Sequence, residues 1–376
     1  DYIDHLIRQQ IELCHFTGNT AVLQPMIRQF QTRWQKYALD LFEISPDVVL
    51  AIRQIARNLS NIQLRLPENI SVMVRREDPD RNSPGEWTTV QSGGPLQLPS
   101  GSYLIRVGYP DGREIFLPVE IKPGQRMEWD LRSLPVLPDG FVLVKGGAFQ
   151  ARSAGGQNTP LRYLPDFFIQ KYEVTIGDYL EFWRQLKCVK LKNLYRAVYR
   201  EAGELGNFLW DENGVLYPEF RKDMPIFGIA GPAAEAYCQY RSEKTGLRHR
   251  LPTQLEWEKA ACGTDGRRYV WGNLKKEDAA FTMDHPSRKE KLFAAPVGSF
   301  PKDRSVYGIW DMAGNLREMV RNPDDSGSIY RLMGGSYQLK HSQSTTFHLG
   351  STNNGVRDAG FRCVIEIPQK ADETTL

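Results

Sequence analysis

One block limits the fold more than any other: Arg250-Leu-Pro252-Thr253-Gln-Leu-Glu256-Trp257-Glu258-Lys-Ala260-Ala261. Arg250 and Glu256 straddle a strand-to-helix turn. Thr253, with Glu256 three residues on, spells a capping box in which each side chain satisfies an orphan backbone amide. These charges therefore read as structural rather than catalytic. From Pro138 to the end, glycines, prolines and tryptophans recur in short groups around that block. Such residues supply the unusual backbone angles and the large rigid core bodies that a loop-rich fold needs.

The groups follow a definite order. Pro138-Asp139-Gly140-Phe141-Val-Leu-Val144-Lys-Gly-Gly147-Ala-Phe149 opens it, and Phe167-Phe-Ile169-Gln-Lys-Tyr-Glu173-Val-Thr175 follows. Met224-Pro225 and Pro232-Ala-Ala234-Glu-Ala236-Tyr-Cys238 precede the Arg250 block; Tyr269-Val-Trp271-Gly272-Asn273, Pro296-Val297-Gly298 and Gly308-Ile-Trp310-Asp311-Met312-Ala-Gly314-Asn315-Leu-Arg-Glu318 come after it. The set closes with Gly334-Gly335-Ser336-Tyr337 and Gly360-Phe361-Arg362-Cys363. In this order the groups resemble the formylglycine-generating-enzyme (sulfatase-modifying factor) family. That resemblance implies an α+β fold for residues 136–376, an irregular domain similar to C-type lectins, with Trp257 and Arg362 as frame.

The oxidase members of that family keep two reactive cysteines between the last two groups, and those thiolates bind copper. At the matching positions this chain carries Leu339 and Ser344. Neither can become a thiolate, the form that attacks or binds a soft metal. Cys363 lies outside the pair's spacing and reads as a core strand residue beside Val364 and Ile365. The related ergothioneine-forming sulfoxide synthases use a histidine iron site from an N-terminal helical region, which here offers only His5 and His15. Calcium sites of the family draw on asparagine and acidic oxygens. Ala280 and Ser305 stand where two of those asparagines are expected, leaving Asn315 and Glu318, too few for an ion that wants six or more oxygens. The expectation is no catalytic residue, no metal and no cofactor. The paired glycines at 146–147 and 155–156 lack a phosphate-loop pattern, and no Gly-x-Ser-x-Gly elbow is present.

Upstream, apolar residues at three- and four-residue spacing (Ile3, Leu6, Ile7, Ile11, then Val22, Met26, Phe30, Trp34, Tyr37, Leu41) predict a helical connector over residues 1–66. Ser45-Pro46 predicts the start of a third helix. Pro67 changes the texture. Alternation at 70–74 and short strands at 87–90, 103–107, 114–121 and 127–131, punctuated by turn residues, predict a small β-sandwich over residues 67–135. Leu96-Gln-Leu-Pro-Ser-Gly-Ser-Tyr103 and the segments after it resemble PEGA-type modules. A helical connector, such a β-domain and a cysteine-less domain of this family together resemble the C-terminal part of certain bacterial Ser/Thr protein kinases. The resemblance implies a kinase domain upstream.

A net charge of +3 over 376 residues is too small to point to a nucleic-acid or membrane partner, and no apolar run approaches a membrane span. The chain opens at Asp1 without Met or signal peptide, so a piece of a longer protein is expected. The five scattered cysteines form no C-x-x-C pair; free thiols favour the cytoplasm, with the extracytoplasmic part of a membrane kinase as the alternative. What remains for function is the polar stretch from Tyr337 to Asn354, with Tyr337 and Phe347 as aromatic bodies. Polar loops on a fixed frame are common recognition surfaces. Tyr337, Lys340, His341, Gln343 and His348 are the predicted ligand contacts, for a protein, small-molecule or carbohydrate partner. The expectation is a non-catalytic recognition or regulatory module. The alternatives are a retroelement-diversified variable ligand-binding protein of the same fold, and a formylglycine-generating or related oxidase.

Overall fold

A computed structural model describes residues 60–65, 70–80, 84–90, 96–122, 125–130, 136–152, 159–199, 207–288, 293–321, 330–340, 347–350 and 355–367. The helical reading of residues 1–59 lies outside the described residues. Its last part is corrected: Ser60–Arg65 is a β-strand, β1. Its Ile62 is fully buried, and the strand is held between two partners rather than continuing a helix.

The chain divides into two compact units. The first takes the described residues up to 77, those of 84–114 and those of 119–134. After β1 come β2 (Ser71–Glu77), β3 (Thr88–Thr89), β4 (Leu96–Leu98), β5 (Gly101–Gly108), β6 (Glu114–Ile121) and β7 (Arg126–Asp130), all in this unit except residues 115–118 of β6. They form a three-stranded sheet in the order β4-β1-β7 and a four-stranded sheet in the order β3-β2-β5-β6. Val72 and Val74 of β2 and Ile105 and Val107 of β5 are buried in alternation, and Leu104 is buried on the opposite face of β5.

The second unit takes the described residues of 78–83, 115–118 and 135–376. Its strands and helices in order are β8 (Phe141–Val144), β9 (Gly147–Phe149), β10 (Arg162–Leu164), β11 (Phe167–Gln170), α1 (Ile176–Gln185), α2 (Val189–Leu194), β12 (Val198–Tyr199), β13 (Asn207–Phe208), α3 (Gly231–Thr245), β14 (His249–Arg250) and α4 (Gln254–Cys262). Then come β15 (Arg317–Arg321), β16 (Tyr330–Met333), β17 (Phe347–Gly350), β18 (Ala359–Gly360) and β19 (Val364–Glu366). Long irregular stretches separate these short elements, so the unit is a mixed α and β structure with few helices.

Local signals place the helices. Thr175 caps α1 and Thr253 caps α4, each in a full capping box with Asp178 and Glu256 respectively. Pro232 sits in the first turn of α3, and Gly246, at φ +72°, ends it in the left-handed conformation. The buried face of α1 presents Tyr179, Phe182 and Trp183. Tyr179 stacks on Tyr237 of α3 at 5.9 Å, and Tyr237 meets Phe361 edge-on at 5.4 Å. Both helices are thereby fastened to the Gly360–Cys363 segment.

Two four-stranded sheets complete the unit. One runs β14-β19-β11-β8, with Phe168 opposite both Leu143 and Ile365. The other runs β17-β16-β15-β18 and carries the candidate site at the end of β16.

Candidate functional site

After β16 the chain turns sharply at Gly334, φ +82°. A Cβ there would lie 3.1 Å from both the Met312 carbonyl oxygen and the Trp257 ring, so only glycine fits without displacement. The turn places Ser336 and Tyr337 inside and Gln338, Leu339 and Lys340 progressively outward.

Ser336 is buried, and its hydroxyl donates to Asp358 Oδ2 at 2.7 Å. Arg317 closes on both oxygens of the same carboxylate, with Nε 3.0 Å from Oδ2, and its backbone N–H donates to the Asp358 carbonyl at 2.9 Å. A serine, an arginine and an aspartate from three separate segments thus fix the base of the turn. Bidentate pairing of this kind adds geometric definition as well as energy.

Tyr337, predicted as an exposed contact, is 3% exposed. Its backbone N–H donates to the Asn315 carbonyl at 3.0 Å, and its hydroxyl donates to the Arg357 carbonyl at 3.2 Å while accepting from Gln338 Nε2. Burial pushes its phenol pKa above the usual value. It is a pillar under the loop rather than part of its surface. Leu339 is half-buried: its N–H donates to Ser336 O at 3.0 Å and its carbonyl accepts from Met283 N at 3.0 Å. Lys340 is exposed. His341, Gln343 and Ser344 lie outside the described residues. His348 sits on β17 opposite Leu332, and its side chain is outside what is described.

Beneath the turn, Arg362 and Glu318 form a fully buried bidentate pair, Nε to Oε2 at 2.7 Å and Nη2 to Oε1 at 2.6 Å. Trp257 Nε1 adds a donor to Glu318 Oε2 at 2.9 Å, and Arg362 also donates to the carbonyls of Gln170 and Trp310. Glu173, Asp303 and Asp311 are buried nearby, each under 3% exposed. Burial first, then the charges of Asp311 and Glu318, hold the Glu173 carboxyl well above the usual range; burial lifts Asp311 to about 6.

Glu173 Oε1 and Asp311 Oδ1 have no hydrogen-bond partner. These oxygens invite comparison with the calcium that the family resemblance implies. They do not fit it. Both oxygens of Glu318 are consumed by Arg362 and Trp257, and the Asn315 side-chain oxygen accepts from Ala295 N at 2.9 Å. Two orphan oxygens facing a guanidinium are far from six hard ligands. Copper would need a pair of soft ligands, and the turn offers an aliphatic side chain at Leu339. Among the described residues no group of three His, Cys, Asp or Glu could hold a metal ion.

The turn therefore brings Tyr337 and Lys340 together and joins them to residues the linear pattern did not flag. Met283, 38% exposed, is tied to Leu339 through its backbone, and Arg357 is exposed beside the Tyr337 hydroxyl. The face so formed is half apolar, half cationic. Among its described residues no nucleophile or general base is set against an activating partner.

A family profile described as sulfatase-modifying factor enzyme 1-like domain matches residues 130–367. The serine/threonine-protein kinase Pkn1 of Chlamydia trachomatis is 26% identical over 276 residues, 63% of this chain and 40% of that protein. Hercynine oxygenase of Mycolicibacterium smegmatis is 29% identical over 209 residues, 52% of this chain and 45% of that protein. Inactive C-alpha-formylglycine-generating enzyme 2 of Mus musculus is 28% identical over 266 residues, 60% of this chain and 83% of that protein. The chain thus spans less than half the length of the first two relatives. Among solved structures, PvdO from Pseudomonas aeruginosa covers 60% of this chain at 20% identity, with a TM-score of 0.47.

Proposed function

This chain belongs to the sulfatase-modifying factor enzyme 1-like family, and we propose that it serves there as a non-catalytic recognition or regulatory module. The observation that carries this reading is the turn itself. Leu339 is locked at both its N–H and its carbonyl in the place where the oxidase resemblance demands a thiolate. A hydrocarbon side chain there can neither bind copper nor reduce oxygen. Similarity to a kinase and to a formylglycine-generating enzyme named inactive supports the same reading. The kinase relative also supports a kinase domain upstream in the full protein.

The ligand face comprises Lys340, His341, Gln343 and His348, with Tyr337 as their internal support and Met283 and Leu339 as its apolar part. Affinity capture compares the wild-type chain with a Lys340→Glu/His341→Ala double variant of unchanged thermal stability. Loss of a specifically retained partner supports the assignment. Equal capture by both moves the site off this turn.

The similarity to hercynine oxygenase favours one rival, an oxygenase or related oxidase of the same family. Iron content of the purified chain after loading and dialysis separates the two: a stoichiometric ion at a defined site would overturn the non-catalytic reading.

A further inference from the structure

Helix α2 has no reason to exist in the core. Its residues, Val189–Leu194, include none that is buried, and Cys188 gives it no side-chain cap. A helix this short is not stable alone in water. It is held instead from one side: Trp183 Nε1 donates to Lys192 O at 2.7 Å, the Lys192 ammonium lies 5.0 Å from the centre of the same ring, and the hydroxyl of Tyr179 donates to Tyr195 O at 3.0 Å. So fixed, α2 turns apolar side chains to solvent, with Val189 70%, Leu191 37% and Leu194 62% exposed.

The charge around it is one-sided. From Arg184 to Arg196 the chain has five cations, Arg184, Lys187, Lys190, Lys192 and Arg196, and no carboxylate. The two arginines are spent inward, Arg184 on Gly214 O and Arg196 on Trp210 O. Lys187 and Lys190 are exposed, and no carboxylate among the described residues pairs with them. A surface with unpaired cations among exposed leucines and valine wants a partner that is negative and apolar at once.

Two kinds of partner meet that description, an acidic protein groove and an anionic bilayer. A groove takes a helix by one apolar stripe. At about 100° per residue, the Lys190 direction falls between those of Val189 and Leu194, so α2 has no clean stripe. A bilayer interface likewise takes a helix by its apolar side, but it lacks a groove's fixed shape and so accommodates a lysine within that side. Lysine stems lie along the apolar side chains while their ammonium groups reach the headgroups. We propose that α2 with Lys187 is a docking surface for an anionic lipid bilayer, seating the chain peripherally. No helix among the described residues is long and apolar enough to cross one.

The exposed thiol of Cys188 offers the readout. Cys238, Cys262 and Cys363 are buried, and Cys14→Ser removes the remaining cysteine from labelling. An environment-sensitive dye on Cys188 of the full chain is mixed with phosphatidylcholine vesicles and with phosphatidylglycerol-rich vesicles. Co-sedimentation of unlabelled chain serves as the dye-free control. The expected result is a blue shift and co-sedimentation with the anionic vesicles alone, reversed by high salt. Lys187→Gln and Lys190→Gln should each weaken partition about fivefold. Val189→Asp with Leu194→Asp should abolish the shift without changing circular dichroism. Absence of binding to the anionic vesicles, equal binding to both kinds, or indifference to the lysine variants would overturn the proposal. A shift with polyglutamate but with neither vesicle would overturn it in favour of an acidic protein.

Discussion

Arg362 and Glu318 meet as a bidentate pair with neither side chain accessible to water, and Trp257 donates to the same carboxylate. Three ordered blocks of the chain are joined at that point: the capped helix α4, the Gly314-Asn315 strand entry and the Gly360-Phe361-Arg362 segment. Buried pairs of this kind contribute definition of the fold more surely than net stability.

Removing one partner has a definite consequence. Arg362→Leu leaves the Glu318 side chain in the core without its guanidinium partner, with Glu173, Asp303 and Asp311 close by. We predict a loss of about 3–5 kcal/mol, read from urea unfolding. A loss below about 1 kcal/mol would mean that the pair is solvated.

Tyr337 separates a structural role from a binding one. Tyr337→Phe removes the bond to Arg357 O and should cost about 1 kcal/mol. Tyr337→Ala empties a buried site and should cost about 3–5 kcal/mol. If Tyr337→Ala left the melting temperature unchanged, the ring would have to be at the surface.

Gly334 tests the turn directly. Gly334→Ala imposes a side chain at positive φ and pushes it against Met312 O and Trp257. A loss of about 2 kcal/mol or more is expected from backbone strain and crowding together, measured by thermal melting. A neutral substitution would contradict the geometry of the turn.

Burial raises the Glu258 carboxyl to about 7 from its ordinary 4.5, against the opposing hydrogen bond from Arg152 N. The folded chain therefore keeps a proton that the unfolded chain releases, and stability falls as pH rises from about 4.5 toward 7. His249, whose pKa burial lowers, acts oppositely, losing stability as pH drops below 6.5. Comparing wild type with Glu258→Gln cancels the His249 contribution. The wild type should lose ground to the variant steadily between pH 4.5 and 7.5, by urea midpoint; parallel curves would contradict the buried carboxyl.

Local signals were legible in the sequence. The capping box at Thr253 and Glu256 needs only three residues of separation and is present as the pattern states. The short strands read at Tyr103–Val107 and Glu114–Ile121 fall within β5 and β6. Ser60–Arg65 was missed although Ile62 and Leu64 alternate with polar neighbours, because the alternation is only two residues deep and its partners β4 and β7 lie far along the chain. The site was harder still. Ser336 finds Asp358 across 22 residues and Arg317 finds it across 41, so neither bond leaves a mark on local spacing. Tyr337 reads as surface from its polar neighbours, and only the distant backbones of Asn315 and Arg357 bury it.

The central claim is that this scaffold recognises and does not oxidise. The most direct measurement incubates the purified chain with copper(I), oxygen, a thiol reductant and a cysteine-containing peptide, and follows the peptide by mass spectrometry. The account predicts that the cysteine is recovered at its unconverted mass with the chain present as without it. Conversion of that cysteine to an aldehyde, dependent on the chain and lost on its heat denaturation, would contradict it.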